Sequence, residues 1–209
     1  MLTVYGCPNS RSLRAVWALE EASADYNYVL IDLFRGAGRS PDFLKVNPAG
    51  KVPALIEGEQ ILTESGAILI HLAERYPAAG LLPPPEDAAA RAETLQWLMF
   101  ALTELEPPLW AIAKHRFILP ETRRIAAIED TCRWEFAHAC ALLARHLGTC
   151  PHAAAGRFTI ADIVIAHCLA WAKSAKVEIV PAPLLDYLDI HWARPAVARA
   201  TAREKRPAQ

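Results

Sequence analysis

The spacing of apolar residues changes character near residue 77. Before it, short β-prone runs alternate with amphipathic stretches. Leu2 to Tyr5, Tyr26 to Leu33, Val52 to Ile56 and Ile61 to Thr63 carry the β-branched and aromatic residues that strands favour. Between them, Arg11 to Ala24 holds helix formers with Leu13, Val16 and Trp17 on one face. Asp42 to Val46 is a short helical piece, and Glu64 to Tyr76 is an amphipathic helix ended by Pro77. Glu57-Gly58-Glu59-Gln60 joins the last two strands as a hairpin. The order β-α-β-α-β-β-α predicts a small mixed sheet with helices against it.

Residues 78–86 read as a linker, because Pro83-Pro84-Pro85 fits neither a helix interior nor a central strand. Beyond it the period is helical throughout. Leu95, Leu98, Met99, Leu102 and Leu105 form one buried stripe, interrupted at Pro107-Pro108. Ile125, Ile128, Cys132, Phe136, Ala139, Leu143 and Leu147 form a second, which Gly148 stops. Thr159-Ile160-Ala161-Asp162 fits a helix start in which Thr159 caps and Asp162 reaches back to the cap's N–H. The following run to Trp171 is apolar on nearly every face, which predicts the central helix of a bundle. The last stretch, Ala193 to Gln209, contains Arg194, Arg199, Arg203, Lys205 and Arg206 and reads as a frayed, solvated helix end. The expected division is an α/β domain over residues 1–77, a linker over 78–86 and an all-helical domain over 87–209.

Composition sharpens the same boundary. Of 39 alanines 30 follow residue 77, while six of the nine glycines precede it, so helix formers and turn formers are segregated. A formal net charge of −1 leaves no footprint for nucleic acid or an anionic membrane surface. The longest strongly apolar stretch, Ile160 to Ala172, is too short to span a bilayer and contains Asp162 and His167. The amino terminus shows no basic region followed by a long apolar run, and a cytoplasmic location is expected. Cys7, Cys132, Cys140, Cys150 and Cys168 are odd in number and widely spread, which suits reduced thiols better than a disulfide framework or a metal site.

Two segments carry chemistry. The first, Tyr5-Gly6-Cys7-Pro8-Asn9-Ser10-Arg11-Ser12, leads from the first strand into the first helix. A helix amino terminus offers unpaired N–H groups and partial positive charge to an anion, and a hydroxyl there adds a directed bond. Ser10 or Ser12 can equally serve as a helix cap. The second is Asn47-Pro48-Ala49-Gly50-Lys51-Val52-Pro53, followed by Thr63-Glu64-Ser65. Pro53 stands where a strand begins, which suits a cis bond or a first strand residue. Glu64 and Ser65 open a helix, again with free N–H groups.

Together these segments, with Phe158-Thr159-Ile160-Ala161-Asp162 in the helical half, resemble the glutathione transferase family along essentially the whole chain. The resemblance implies a thioredoxin-like domain that binds glutathione and an all-helical domain that supplies the pocket of a hydrophobic electrophile. It implies that the Val52 backbone pairs with the cysteinyl part of glutathione and that Pro53 is the cis-proline exposing it. Glu64 would receive the ammonium and Ser65 the carboxylate of the γ-glutamyl end. It also implies a homodimer, to which Trp97 and the face from Arg91 to Thr94 would contribute.

Glutathione's thiol needs activation, because a thiol with a reference pKa of about 8.5 is mostly protonated at neutral pH. Lowering that value by about two units takes roughly 2.7 kcal/mol, within reach of one hydrogen bond to the charged sulfur plus a helix terminus. Ser10 falls where the serine-type theta and delta classes carry that hydroxyl. Cys7 is the competitor: Cys7-Pro8-Asn9-Ser10 also resembles the Cys-Pro-x-Ser turn of glutaredoxins and the Cys-Pro turn of omega-class members, in which the cysteine attacks a disulfide. Tyr5 and Ser12 remain as further candidates, and the resemblance also leaves open a deglutathionylating enzyme acting through Cys7 or a non-catalytic relative that only binds glutathione. The histidine or glutamine that serine-type relatives often place before the second helix is replaced by Gly36-Ala37-Gly38-Arg39, which leaves Arg39 or Lys51 for the glycine end. His71 stands where relatives often have tyrosine and reads as structural.

Overall fold

Leu2–Gly6 (β1) pairs in parallel with Tyr26–Leu30 (β2) and antiparallel with Ala54–Glu57 (β3), which pairs antiparallel with Gln60–Thr63 (β4). The sheet order is β2-β1-β3-β4. The parallel pair needs a crossover, and the helix Ser12–Glu21 (α1) supplies it. Pro41–Val46 (α2) lies in the connection to β3, and Ser65–Arg75 (α3) follows β4 and packs on α1. Val16, Trp17, Leu19, Ile68 and Leu69 fill this core. The amino-terminal part is therefore the mixed α/β fold expected from the alternating patterns, followed by helices. The computed structural model describes residues 1–205 of the chain, so Arg206 and the rest of the carboxy terminus lie outside the described residues.

By packing, the chain divides into two compact units: Met1–Leu82 together with the segment from Ala193 onward, and Pro83–Trp192. The helix Pro195–Lys205 (α9 in chain order) thus belongs with the sheet, whereas the run of arginines predicts a frayed, solvated end of the helical domain. The correction has two causes. Ala196, Val197, Ala200 and Glu204 recur at helical spacing and are all buried, giving α9 a face to pack on α1. The arginines are held rather than solvated. Arg194 grips Glu21 with two bonds of 2.6 and 2.9 Å, Arg199 bonds Glu20, and Arg203 donates to the Tyr26 carbonyl at 2.7 Å.

The second unit is helical: Ala88–Phe100 (α4), Glu106–Ala113 (α5), Ile128–Leu147 (α6), Ile160–Ser174 (α7) and Pro183–Trp192 (α8). Pro107-Pro108 does not interrupt the first stripe. The coil widens into a π-turn at Ala101–Leu105, where the Glu106 N–H bonds the Ala101 carbonyl, and both prolines then fall in the first turn of α5. Missing N–H groups are tolerated there. Ile125 lies outside α6 and is exposed, so the second stripe starts one turn later than its spacing suggests. Of α7, residues Ile160 to Leu169 are all buried, as an apolar circumference requires. Thr94 is buried inside this unit, and Trp97 stacks on His146 with centroids 3.7 Å apart.

Candidate functional site

Strand register brings the two chemical segments to one end of the sheet. Tyr5 pairs with Ala54, and Ala54 with Thr63, so the chain leaving β1, the chain entering β3 and the chain leaving β4 share an edge. The turn Cys7–Arg11, the Val52–Pro53 bond and the Glu64–Ser65 helix start are consequently neighbours. Gly6 pairs with Leu30 at the same edge, which adds the loop that carries Arg39. The Val52–Pro53 bond is cis, and both residues precede β3, which begins at Ala54.

Ser10 sits half-buried just before α1. Its Oγ accepts the Ser12 N–H at 3.2 Å and lies 3.0 Å from the Ser12 Oγ. It therefore takes part in capping while holding its oxygen at the helix amino terminus, where an anion is favoured. Ser12, fully buried, is the hub beneath it. Its Oγ accepts the Cys7 N–H at 3.0 Å, faces the Cys7 carbonyl at 3.0 Å and meets the Glu204 carboxyl at 2.5 Å. Cys7 is itself buried, with 3% of its surface exposed. Burial pushes its thiol up, and the charges of Asp32 and Glu204 add to that, against a Leu33 N–H that pulls it down. Such surroundings disfavour the thiolate that a nucleophilic cysteine needs.

The second segment is pinned by its own backbone. Asn47, buried, donates from Nδ2 to the Lys51 carbonyl at 2.7 Å and accepts the Ala49 N–H at 3.0 Å. Gly38 and Gly50 press the two loops together. A Cβ on Gly38 would lie 2.7 Å from the Gly50 carbonyl oxygen, and Gly50 also has φ +65°, so each position excludes a side chain. Arg39, exposed, lies against this contact, its Nη1 being 3.3 Å from where a Gly50 Cβ would sit, and Lys51 follows, also exposed. The two candidate cations for a carboxylate are thus on adjoining loops.

Glu64 adopts φ 64° and ψ 117°, a conformation L residues rarely take, at the residue that starts α3. It is exposed and forms no side-chain cap. Strained positions of this kind gather at binding sites, where the surroundings hold them. Ser65 next to it is buried and accepts from the Arg14 Nη1 at 3.1 Å. Arg14 is fully buried on α1, so this bond ties the two segments to each other. Sequence reasoning missed Arg14, Ser12's hub and Glu204. Arginine within an otherwise apolar helix face, and an acid spaced with Val197 and Ala200, were the available signals. His71 Nε2 lies 2.7 Å from Glu57 Oε2.

In the second unit, Thr159 and Asp162 form the expected capping box. His152, Asp162 and His191 also place ligand-type atoms within 4.8 Å of one another. Four donors already converge on the Asp162 oxygens: the Ala153 and Thr159 N–H groups at 2.8 Å, the Thr159 hydroxyl at 3.2 Å and the Tyr187 hydroxyl at 2.6 Å. His191 Nε2 meets the Pro151 carbonyl at 2.8 Å. These bonds engage the Asp162 oxygens, His191 Nε2 also lies 3.6 Å from Asp162 Oδ1, and the buried His152 Nδ1 has no hydrogen-bond partner among the described residues. Among the described residues, no helix is long and apolar enough to cross a membrane.

Comparison with known proteins agrees with the geometry. Residues 1–74 match the glutathione S-transferase, N-terminal domain family. Glutathione S-transferase 2 of Anopheles gambiae is 36% identical over 82% of this chain and 80% of its own. The disulfide-bond oxidoreductase YfcG of Escherichia coli is 32% identical over 96% of this chain and 94% of its own. A sphingomonad glutathione S-transferase, solved in complex with glutathione, superposes with a TM-score of 0.84 at 31% identity, covering 97% of this chain and 98% of that one. The chain belongs to the glutathione S-transferase family.

Proposed function

We propose that this chain, a glutathione transferase, activates the thiol of bound glutathione through Ser10 for attack on a hydrophobic electrophile. The observation that carries the reading is the Ser10 oxygen at the α1 amino terminus, with Cys7 below it buried and its thiol pushed up. A hydroxyl donating to a thiolate at a helix start supplies about 1.5–3 kcal/mol from the bond, and the terminus adds to it. The rest of the ligand fits around this point. The Val52 backbone, exposed by the cis Pro53, pairs with the cysteinyl amide; Glu64 takes the ammonium; the Ser65 hydroxyl and α3 N–H groups take the γ-glutamyl carboxylate; Arg39 or Lys51 takes the glycine carboxylate. The positive-φ backbone at Glu64, which makes no side-chain cap, supports its role. Cytoplasmic detoxification as a homodimer, with the electrophile the only substrate besides glutathione and no resident metal, completes the proposal.

The full-length likeness to a disulfide-bond oxidoreductase makes a thiol-disulfide exchange the reading to be tested against this one. Ser10→Ala and Cys7→Ser, each assayed with a chlorinated aromatic acceptor and with a mixed disulfide of glutathione, separate them. Loss of conjugation in Ser10→Ala with Cys7→Ser unimpaired is the expected result. Loss of disulfide exchange in Cys7→Ser, with Ser10→Ala unimpaired, replaces the proposal with the other chemistry.

A further inference from the structure

Arg14 is fully buried on α1, among residues that are otherwise apolar or small, and its Nη1 donates to the Ser65 Oγ at 3.1 Å. We propose that Arg14 is a positioning residue for glutathione: by occupying an acceptor site of Ser65, it leaves the Ser65 hydrogen to be given to the carboxylate of the γ-glutamyl end. This role rests on Ser65 as the receptor of that carboxylate.

A buried guanidinium is costly. An apolar residue of similar volume would pack between α1 and α3 with no charge to desolvate, and such exchanges are often neutral or stabilising. What an apolar residue lacks is a donor. The guanidinium carries only donors, so its bond to Ser65 runs in one direction. That direction holds whatever other groups the guanidinium touches, because none of them can make it an acceptor. Ser65 therefore accepts from Arg14 and keeps its own hydrogen to give. Among the described residues the Arg14 bond is the one hydrogen bond that Ser65 Oγ makes, so no group of the chain claims that hydrogen.

The place of Ser65 in the fold gives the hydrogen a destination. Ser65 is the first residue of α3, and Glu64 before it supplies no side-chain cap. The hydroxyl and the first N–H groups of α3 thus belong to one helix start, a donor set suited to a carboxylate. A hydroxyl whose oxygen accepts from a cation also donates more strongly. Arg14, with no exposed surface, acts through Ser65 rather than on the ligand itself. Glu64 is exposed and of opposite charge, so the ammonium and the carboxylate of the same head group have separate receptors.

The test compares three ligands by equilibrium binding. They are glutathione, γ-aminobutyryl-cysteinylglycine, which lacks the γ-glutamyl carboxylate, and glutaryl-cysteinylglycine, which keeps it and lacks the ammonium. Wild type is expected to bind glutathione roughly tenfold more tightly than the γ-aminobutyryl peptide, and Ser65→Ala to lose that preference. Arg14→Met is expected to weaken glutathione and the glutaryl peptide by roughly fivefold each, and to leave the γ-aminobutyryl peptide within about twofold of wild type. A purely structural role weakens all three alike, and that result overturns the proposal. Should Arg14→Met not fold, the wild-type protein decides. Its Arg14 side-chain N–H resonances are expected to shift with the two carboxylate-bearing ligands and to stay in place with the third; equal shifts with all three overturn the proposal. A glutathione preference lost in Ser65→Ala but kept in Arg14→Met overturns the role of Arg14 alone. No preference in wild type, or one that Ser65→Ala leaves intact, removes the Ser65 assignment and the role of Arg14 with it.

Discussion

Asp162 in the helical unit and Glu204 in the sheet unit are both buried carboxylates bonded to a hydroxyl near a helix start, yet their surroundings differ in kind. Four donors surround Asp162, two of them backbone N–H groups, and together they close the capping box and fasten α7 to Ala153 and Tyr187. Glu204 receives the Ser12 hydroxyl, a group that can reverse the direction of its bond. A carboxylate held by two backbone N–H groups, which can only donate, is fixed as an acceptor and is a structural node. One that shares a hydrogen with a hydroxyl can change state at little geometric cost. The same contrast separates two helix starts. The capping box satisfies the start of α7 from within the chain, while α3 begins at a strained Glu64 with no side-chain cap and N–H groups available to a ligand.

The largest effect is expected at the saturated site. Asp162→Ala should lower unfolding free energy by about 3 kcal/mol or more in urea titration, because buried donors lose their acceptor together. The glutathione affinity of the remaining folded protein should not change; a loss of affinity with stability intact would break the contrast. At the open site the balance reverses. Ser10→Ala should reduce conjugation by roughly 10–100-fold with stability within about 1 kcal/mol. Glu64→Gln should raise the KM for glutathione by roughly tenfold, an ion-paired bond's worth, and leave the urea midpoint in place.

A pH-dependent effect sharpens the comparison of the carboxylates. Glu204 titrates at about 7 when folded, against about 4.3 for a free glutamate. The folded chain holds a proton that the unfolded chain has released, so the Glu204 contribution to stability falls as pH rises from about 4.5 to about 7. Glu204→Gln should flatten that part of the stability–pH curve. Urea midpoints measured across this range check it.

Much of the fold was legible because its signals are local. The alternation of strand and helix periods, the Gly58 hairpin, the apolar circumference of α7 and the Thr159–Asp162 box each depend on residues within a few positions of one another. Pro107-Pro108 misled because proline penalties are written for an ordinary helical turn, and the π-turn ahead of them changes the register. Arg194, Arg199 and Arg203 misled because a run of arginines looks the same whether it faces water or Glu20, Glu21 and the Tyr26 carbonyl. Of the candidate site, the segments were visible as motifs, but Arg14 bridging to Ser65 was not, since that bond spans 51 positions.

The sequence by itself determined the order of elements, the helix starts, the loop Asn47 to Pro53 and the resemblance that the comparisons confirmed at the level of the family. These follow from turn chemistry and hydrophobic period, which act between near neighbours in the chain. Only the tertiary structure decided that α9 packs on the sheet unit, that Ser12 is a hub and Cys7 is buried, and that Glu204 reaches the first turn. Burial and the sharing of a hydrogen between distant side chains are properties of packing, and no local pattern in the chain encodes them.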